Sequence, residues 1–321
     1  MPETISEQDF ERSARAFLEA NAEPRVEVEQ SWGEGSDQVS ILPERTLEEE
    51  RAELTEARAW AQTRFDAGFS WITGPVQYGG RGLPRDFQRS YDTLESGFAT
   101  PPMSAYGIGL GMVAPTILAH ATDEVKERYL RSLWRGDIVA CQLFSEPGAG
   151  SDLAGLQTRA VRDGDEWVVN GQKVWTSGAH LSEIGEIMCR TNPDAPKHRG
   201  ITWFAIDMHQ PGIDVRPLKE MTGHAVFNEV FITDAIVPDD NRIGDANNGW
   251  AVANTTLFHE RSGMASRAGG GEGGDWAMRM ARAGTVVGDL DKRAGDFVTP
   301  RANGATRRRR QPEGASPAQS Q

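Results

Sequence analysis

The chain has 321 residues, enough for two or three domains, and its 38% hydrophobic and 25% charged residues are typical of a soluble globular protein. A formal net charge of −13 at pH 7 disfavours binding to nucleic acid or anionic membranes. The two cysteines form no CxxC pair, and the six histidines lack the spacing of a helical metal pair, so neither a disulfide framework nor a metal site is expected. The acidic N-terminus does not resemble a signal peptide, and residues 103–119 are too short to span a membrane, so we expect a cytoplasmic protein.

The first third of the chain has the apolar spacing of amphipathic helices. One such pattern lies within residues 5–22. A second follows Thr46 and Glu49, which have the spacing of a capping box. A third stripe of apolar residues is stopped by Gly136. Between the second and third patterns, the glycine-rich segment 75–83 predicts a loop.

Near residue 140 the apolar pattern changes to short runs that are typical of β-strands. The candidate strands are 156–162, 166–169, 201–208, 213–218 and 229–233. The first two are separated by Asp-Gly-Asp, which is a strong hairpin signal. Several short strands at this spacing predict a small antiparallel barrel or sandwich. Pro238 ends the pattern, and a helix is predicted to start near Trp250.

The order of these patterns predicts an α+β fold with three structured parts. They are an N-terminal helical domain (1–138), a central antiparallel β-barrel domain (139–245) and the incomplete start of a C-terminal helical domain (246–298). Residues 299–321 are predicted to be a disordered tail, because glycine, arginine and alanine dominate the end of the chain and few apolar side chains are available for a core.

Two segments of the predicted β domain have compositions suited to ligand binding. In Cys141-Gln-Leu-Phe-Ser-Glu-Pro-Gly-Ala-Gly-Ser-Asp152, glycines let backbone amides approach a ligand and serines add donors. An ordinary loop explains the same composition. In Asn170-Gly-Gln-Lys-Val-Trp-Thr-Ser-Gly-Ala179, Trp175 stands beside two hydroxyl residues, which suits a planar heteroaromatic ring. A tryptophan buried in the core is the alternative.

These two segments, in their order and separation, resemble the FAD-contacting signatures of acyl-CoA dehydrogenases. The resemblance covers about residues 5–263. It implies an FAD-dependent enzyme that desaturates an acyl-CoA thioester: a carboxylate removes the α-proton while the β-hydrogen leaves as hydride to the flavin. It also implies an electron-transfer flavoprotein or a similar acceptor as partner.

The resemblance further assigns roles to individual residues. It implies flavin contacts from Gln142, Leu143, Phe144, Ser145, Gly150, Ser151, Trp175, Thr176 and Ser177. Ser151 and Arg261 are implied to contact the acyl-CoA substrate. A subset of the family places its catalytic base at the start of the first C-terminal helix, where this chain has Glu260. A glutamate on a helix surface is the alternative interpretation of Glu260.

The resemblance also implies that most of the family's C-terminal helical domain is missing, since the sequence shows only its start. This leaves a second hypothesis open, a catalytically silent remnant that binds acyl-CoA or a partner subunit. A third is an acyl-CoA oxidase, which differs in how its reduced flavin meets oxygen. A homo-oligomer is expected if the C-terminal domain is complete.

Overall fold

A computed structural model describes residues 5–26, 45–221 and 225–268, with side chains described as far as residue 261. The N-terminal part contains five helices and one small two-stranded sheet within these ranges. They are α1 (Glu7–Asn21), β1 (Glu23–Pro24), α2 (Leu47–Asp66), α3 (Arg85–Glu95), β2 (Phe98–Ala99), α4 (Ala114–His120) and α5 (Asp123–Arg135). A π-helical turn, Gly109–Val113, directly precedes α4.

Local sequence signals explain where these helices begin and end. The Thr46 hydroxyl accepts a hydrogen bond from the Glu49 amide at 3.2 Å, and the Glu49 carboxylate accepts one from the Thr46 amide at 2.7 Å. The predicted capping box at the start of α2 is therefore confirmed. Gly136 ends α5 in the left-handed conformation, with a φ of 82°, as its position predicts.

The central part is an eight-stranded sheet. Its strands are β3 (Ala140–Leu143), β4 (Arg159–Asp163), β5 (Glu166–Ser177), β6 (Ile184–Arg190), β7 (Ile201–Asp207), β8 (Ile213–Leu218), β9 (Phe227–Pro238) and β10 (Arg242–Ile243). The spatial order is β10-β7-β6-β4-β5-β9-β8, and β3 pairs with β6. The predicted succession of helices and a β domain is confirmed, as are the hairpin between β4 and β5 and the end of β9 at Pro238.

One detail of the predicted antiparallel sheet needs correction. Strands β3 and β4 both pair with β6 in parallel, whereas the other pairs in this sheet are antiparallel. Parallel neighbours require a long connection between them, and the β4–β5 hairpin lies between β3 and β6 in the chain. Turn signals report only on neighbouring residues, so they do not predict that the chain returns to pair with β3 in parallel.

The sheet is covered on both faces at β7. Trp203 and Phe204 are consecutive on β7 and therefore point to opposite faces, yet each is fully buried. Trp203 belongs to a core shared with the helices, and Phe204 belongs to a core formed largely by the strands themselves. Strands buried on both faces position the loops at their ends firmly.

The predicted helix near Trp250 is also present, as α6 (Gly249–Ala268). It contacts α4, the π-helical turn and β7. The predicted partial domain 246–298 is described only as far as residue 268, and the predicted tail 299–321 lies outside the described residues. In the described ranges, no helix has both the length and the apolar character that crossing a bilayer requires.

Candidate functional site

The two motifs singled out in the sequence lie side by side in the structure. The Val174 amide on β5 donates a hydrogen bond to the Ser145 carbonyl at 2.8 Å. Just beyond Ser145, the backbones of Glu146 and Ala149 exchange hydrogen bonds at 2.9 and 3.1 Å, which closes a tight turn. The first motif is therefore a compact turn held against the strand that carries the second.

The side chain of Lys173 joins the two motifs. Its ammonium group is fully buried and donates to Glu146 Oε1 at 2.9 Å. It also donates to the carbonyls of Phe144 at 3.1 Å and Met188 at 2.9 Å. An ammonium group has three protons, so these acceptors satisfy all of them. A buried positive charge of this kind is tolerated because it is both paired and fully hydrogen-bonded.

Glu146 completes this buried pair from the other side. Besides Lys173, its carboxylate accepts hydrogen bonds from the amides of Gln157 at 2.6 Å and Thr158 at 2.9 Å. Burial opposes its ionisation, but the Lys173 charge and the nearby donors hold the pKa of Glu146 below its ordinary value. An ionised Glu146 thus links Gln157 and Thr158, at the end of the loop after β3, to the side chain of Lys173.

Sequence reasoning did not identify the Lys173–Glu146 pair. The available signal was a lysine inside a strand-forming run and a glutamate inside a glycine-rich loop. Neither charge indicates its partner, because side chains this far apart in the chain meet only through the sheet topology.

Trp175 lies at a break in the sheet and faces outward. Pairing between β5 and β9 changes register between Lys173 and Thr176, which marks a β-bulge. Trp175 takes a φ of 59°, a conformation that costs a non-glycine residue roughly 1–3 kcal/mol. Its surface is 57% exposed, so the alternative of a core tryptophan is wrong. Its ring meets that of Phe227 edge to face, with centroids 5.7 Å apart.

The two motifs also contain unused hydrogen-bonding capacity and open space. The Thr176 hydroxyl is buried and has no hydrogen-bond partner among the described residues. At Gly148, Gly150 and Gly178, no heavy atom outside the glycine and its two neighbours in the chain lies within 4 Å of the position that a Cβ would occupy. An exposed indole, a free hydroxyl and accessible backbone are the groups that a flat heteroaromatic ring requires, so these residues fit a flavin.

The other predicted flavin contacts differ in what they can present. Gln142 and Ser145 are half-buried, whereas Ser151 is exposed. The Leu143 side chain is fully buried in the strand core, so this residue can reach a ligand only through its backbone. Phe144 packs edge to face on Trp203, with ring centroids 4.9 Å apart.

Glu260 and Arg261 lie on α6. Glu260 is half-buried and Arg261 is exposed. No hydrogen bond or ion pair in the described part of the chain ties Glu260 to either motif. Burial lowers the pKa of the neighbouring His259 to about 4, so that imidazole is neutral at pH 7. The structure therefore unites the two motifs, and among the described residues it joins Glu260 to neither of them by a hydrogen bond or an ion pair.

Comparison with known proteins identifies the family. The model of the acyl-CoA dehydrogenase N-terminal domain matches residues 4–137, and that of the acyl-CoA dehydrogenase middle domain matches residues 141–235. The chain belongs to the acyl-CoA dehydrogenase family. The resemblance noted in the sequence is thereby confirmed.

Individual relatives of this acyl-CoA dehydrogenase chain agree. Acyl-CoA dehydrogenase FadE34 of Mycobacterium tuberculosis is 56% identical over 153 residues, which are 48% of this chain and 22% of that protein. Acyl-CoA dehydrogenase IpdE1 of the same organism is 40% identical over 212 residues, or 66% of this chain and 55% of that protein. The solved Tcur3481-Tcur3483 steroid ACAD has a TM-score of 0.59 and 28% identity, covering 92% of this chain and 68% of its own. The chain thus spans from about a fifth to about half the length of these two curated relatives.

The buried pair yields a prediction for stability. Lys173→Met leaves the Glu146 carboxylate buried without its counter-charge, so we expect a loss of about 3–5 kcal/mol in the free energy of unfolding, measured in urea. Combining Lys173→Met with Glu146→Gln removes both charges and is expected to restore much of that loss.

Lys197→Met is the matched control. Lys197 pairs with Asp152 at 2.8 Å, but both side chains are more than half exposed, so its loss should cost less than about 1 kcal/mol. A Lys173→Met variant that is no less stable than Lys197→Met would contradict the role assigned to the buried pair.

Proposed function

We propose that this chain provides the flavin-binding part of an FAD-dependent acyl-CoA dehydrogenase, which introduces a double bond between the α and β carbons of an acyl-CoA thioester. The observation that carries the proposal is the outward-facing indole of Trp175 beside the unpaired Thr176 hydroxyl. The buried Lys173–Glu146 pair holds both against the Ser145 turn. Membership of the family supports the class of reaction.

The residues that hold the cofactor come from both motifs. Trp175 offers a ring face, and Thr176 and Ser177 offer hydroxyl groups. The β3 strand and the turn after it contribute the remaining contacts, from Gln142, Leu143, Phe144, Ser145, Gly150 and Ser151. When bound, FAD supplies the acceptor for the β-hydrogen, and the protein supplies orientation and a surface from which water is excluded.

Glu260 is the proposed base for the α-proton. Neutral His259 beside it adds no positive charge that would weaken a carboxylate as a base. Arg261 is exposed one residue further on, and its guanidinium suits the phosphates of coenzyme A. Ser151 is the second proposed contact to the acyl-CoA.

The remaining parts of the proposal concern the surroundings of the enzyme. Reduced flavin must be reoxidised, and an electron-transfer flavoprotein or a similar acceptor is the proposed partner. A cytoplasmic location, a homo-oligomeric assembly and domain boundaries at residues 138, 245 and 298 stay predictions. No contact described above favours the hypothesis of a silent remnant over that of an enzyme.

A spectrum of the purified chain tests the cofactor and the reaction together. With FAD supplied, we expect a yellow protein whose oxidised-flavin absorbance bleaches when an acyl-CoA is added anaerobically. Straight-chain and steroid acyl-CoA thioesters should be compared, since one solved relative is named a steroid ACAD. A protein that stays colourless after FAD is added contradicts the proposal, and peroxide formation without another acceptor favours an oxidase.

Trp175→Ala tests the site within the same assay. Loss of the ring contact should raise the Kd for FAD roughly twofold to tenfold, corresponding to about 0.5–1.5 kcal/mol of aromatic contact. Trp175→Phe keeps a ring and should change the Kd less. Val161→Ala, at another exposed apolar side chain of the β domain, serves as the control. Equal Kd values for Trp175→Ala and Val161→Ala would place the flavin elsewhere.

Glu260→Gln tests the base separately. If Glu260 removes the α-proton, the variant should bind FAD normally, but flavin reduction by substrate should slow by roughly 10²–10⁴-fold. Glu229→Gln, which changes another half-buried glutamate on β9, is the control. In this variant, the substrate should reduce the flavin at the normal rate. An unchanged rate in Glu260→Gln would mean that another group is the base.

A further inference from the structure

Glu186, in the middle of β6, is a buried carboxyl group that the proposed chemistry does not use. Its side chain is fully buried, and neither carboxyl oxygen reaches hydrogen-bond geometry with a described residue. Its register neighbours are Gln142 on β3 and Ala205 on β7, and neither carries a charge. An unpaired carboxylate in such surroundings is strongly disfavoured, because burial removes its hydration without replacing it.

Two threonine hydroxyls lie on the helices that pack over this position. The hydroxyl oxygens of Thr116 on α4 and Thr256 on α6 are 2.7 Å apart, and both side chains are fully buried. Their hydroxyls are near enough to Glu186 to influence its ionisation. The Thr116–Thr256 hydroxyl pair is thus the polar contact between α4 and α6 at this point of the core.

The protons of this hydroxyl pair are already used. The Thr116 hydroxyl donates its one proton to the Met112 carbonyl at 2.7 Å. The short contact between the two threonines then requires the proton of Thr256, whose alternative acceptor, the Val252 carbonyl, is 3.3 Å away. The pair retains lone pairs that can accept a hydrogen bond, but it has no proton to offer. A protonated carboxyl group can donate to this pair, whereas a carboxylate gains a hydrogen bond only if one threonine gives up a bond that it already makes.

The charges around Glu186 favour the same state. Burial raises the pKa of Glu186 well above its ordinary value, and the two hydroxyls offset only part of that rise. On the described parts of the covering helices, the titratable groups are His120 on α4, and His259, Glu260 and the exposed Arg261 on α6. Burial lowers the pKa of both histidines, so neither supplies a positive charge near pH 7. The π-helical turn and the facing parts of β3 and β7 contribute no titratable group.

We propose that Glu186 is a neutral acid packed against the Thr116–Thr256 hydroxyl pair, and that this uncharged contact latches α6 onto β6 and α4. Because α6 carries Glu260 and Arg261, Glu186 is a positioning residue for both. That consequence rests on the proposed function, whereas the latch itself does not. Loss of the proton leaves a buried carboxylate facing hydroxyls whose protons are already bonded elsewhere, so the latch opens as the pH rises.

The sign of the pH dependence follows from where the proton is retained. The unfolded chain releases it near the ordinary pKa of 4.5, and the folded chain keeps it to higher pH. The stabilising contribution is therefore complete below that value and declines as the pH rises toward the pKa of the folded state. Over that interval the folding equilibrium constant falls by up to about tenfold per pH unit.

The test compares the full chain with Glu186→Gln, without flavin, from about pH 5 to about pH 9. Glutamine is neutral, has nearly the same shape and keeps a donor. In urea unfolding, we expect the folding equilibrium constant of the wild type to fall by up to about tenfold per pH unit relative to that of the variant. Amide hydrogen exchange in residues 252–260, corrected for the intrinsic rate, should rise in parallel in the wild type alone. Glu166→Gln, which changes an exposed glutamate on β5, is the control and should show the same pH dependence as the wild type.

Parallel stability curves for the wild type and Glu186→Gln would overturn the neutral acid, and a pH-independent exchange rate in α6 would overturn the latch. If Glu186→Gln does not fold, infrared spectroscopy decides. The wild type should show a protonated carboxyl band at pH 7 that shifts in Thr256→Val, and absence of that band overturns the proposal. Because flavin is left out, a failure to bind FAD would sink the proposed function without affecting this result.

Discussion

The buried ion pair between Lys173 and Glu146 is the interaction on which the candidate site depends. Removing two charges from water carries a penalty of several kcal/mol per ion, which only a complete set of partners can offset. Here the ammonium has three acceptors, and the carboxylate accepts from the ammonium and two backbone amides. Since hydrophobic replacements of such pairs are often equally stable, we attribute to this pair the placement of the two motifs rather than net stability.

The strained backbone at Trp175 depends on this placement. The residue before the bulge is fixed by the Lys173 side chain, and Val174 is bonded to the Ser145 carbonyl. Between such anchors a bulky residue can be held with positive φ, which would otherwise relax. The strain has a visible consequence, because it turns the indole out of the sheet toward open space. Strain of this kind is typical of ligand-binding positions.

Local features of the fold were predictable, whereas features that join distant parts of the chain were not. The capping box of α2 and the hairpin before β5 follow from neighbouring residues. The strand β9 extends from 227 to 238, although the pattern predicted only 229–233, because irregular pairing with β5 blurs the alternation. The motifs predicted that two segments would meet, but Glu186 and the Lys173–Glu146 pair depend on strand order. No local pattern encodes that order.

A double-mutant cycle on FAD binding tests most directly whether the buried pair creates the flavin surface. The Kd for FAD would be measured for the wild type, Glu146→Gln, Lys173→Met and the combined variant. If the pair acts as a unit, each single change should weaken binding, and the two should be coupled by roughly 0.5–3 kcal/mol. Effects that add within about 0.3–0.5 kcal/mol, or single variants that bind FAD as well as the wild type, would contradict this account.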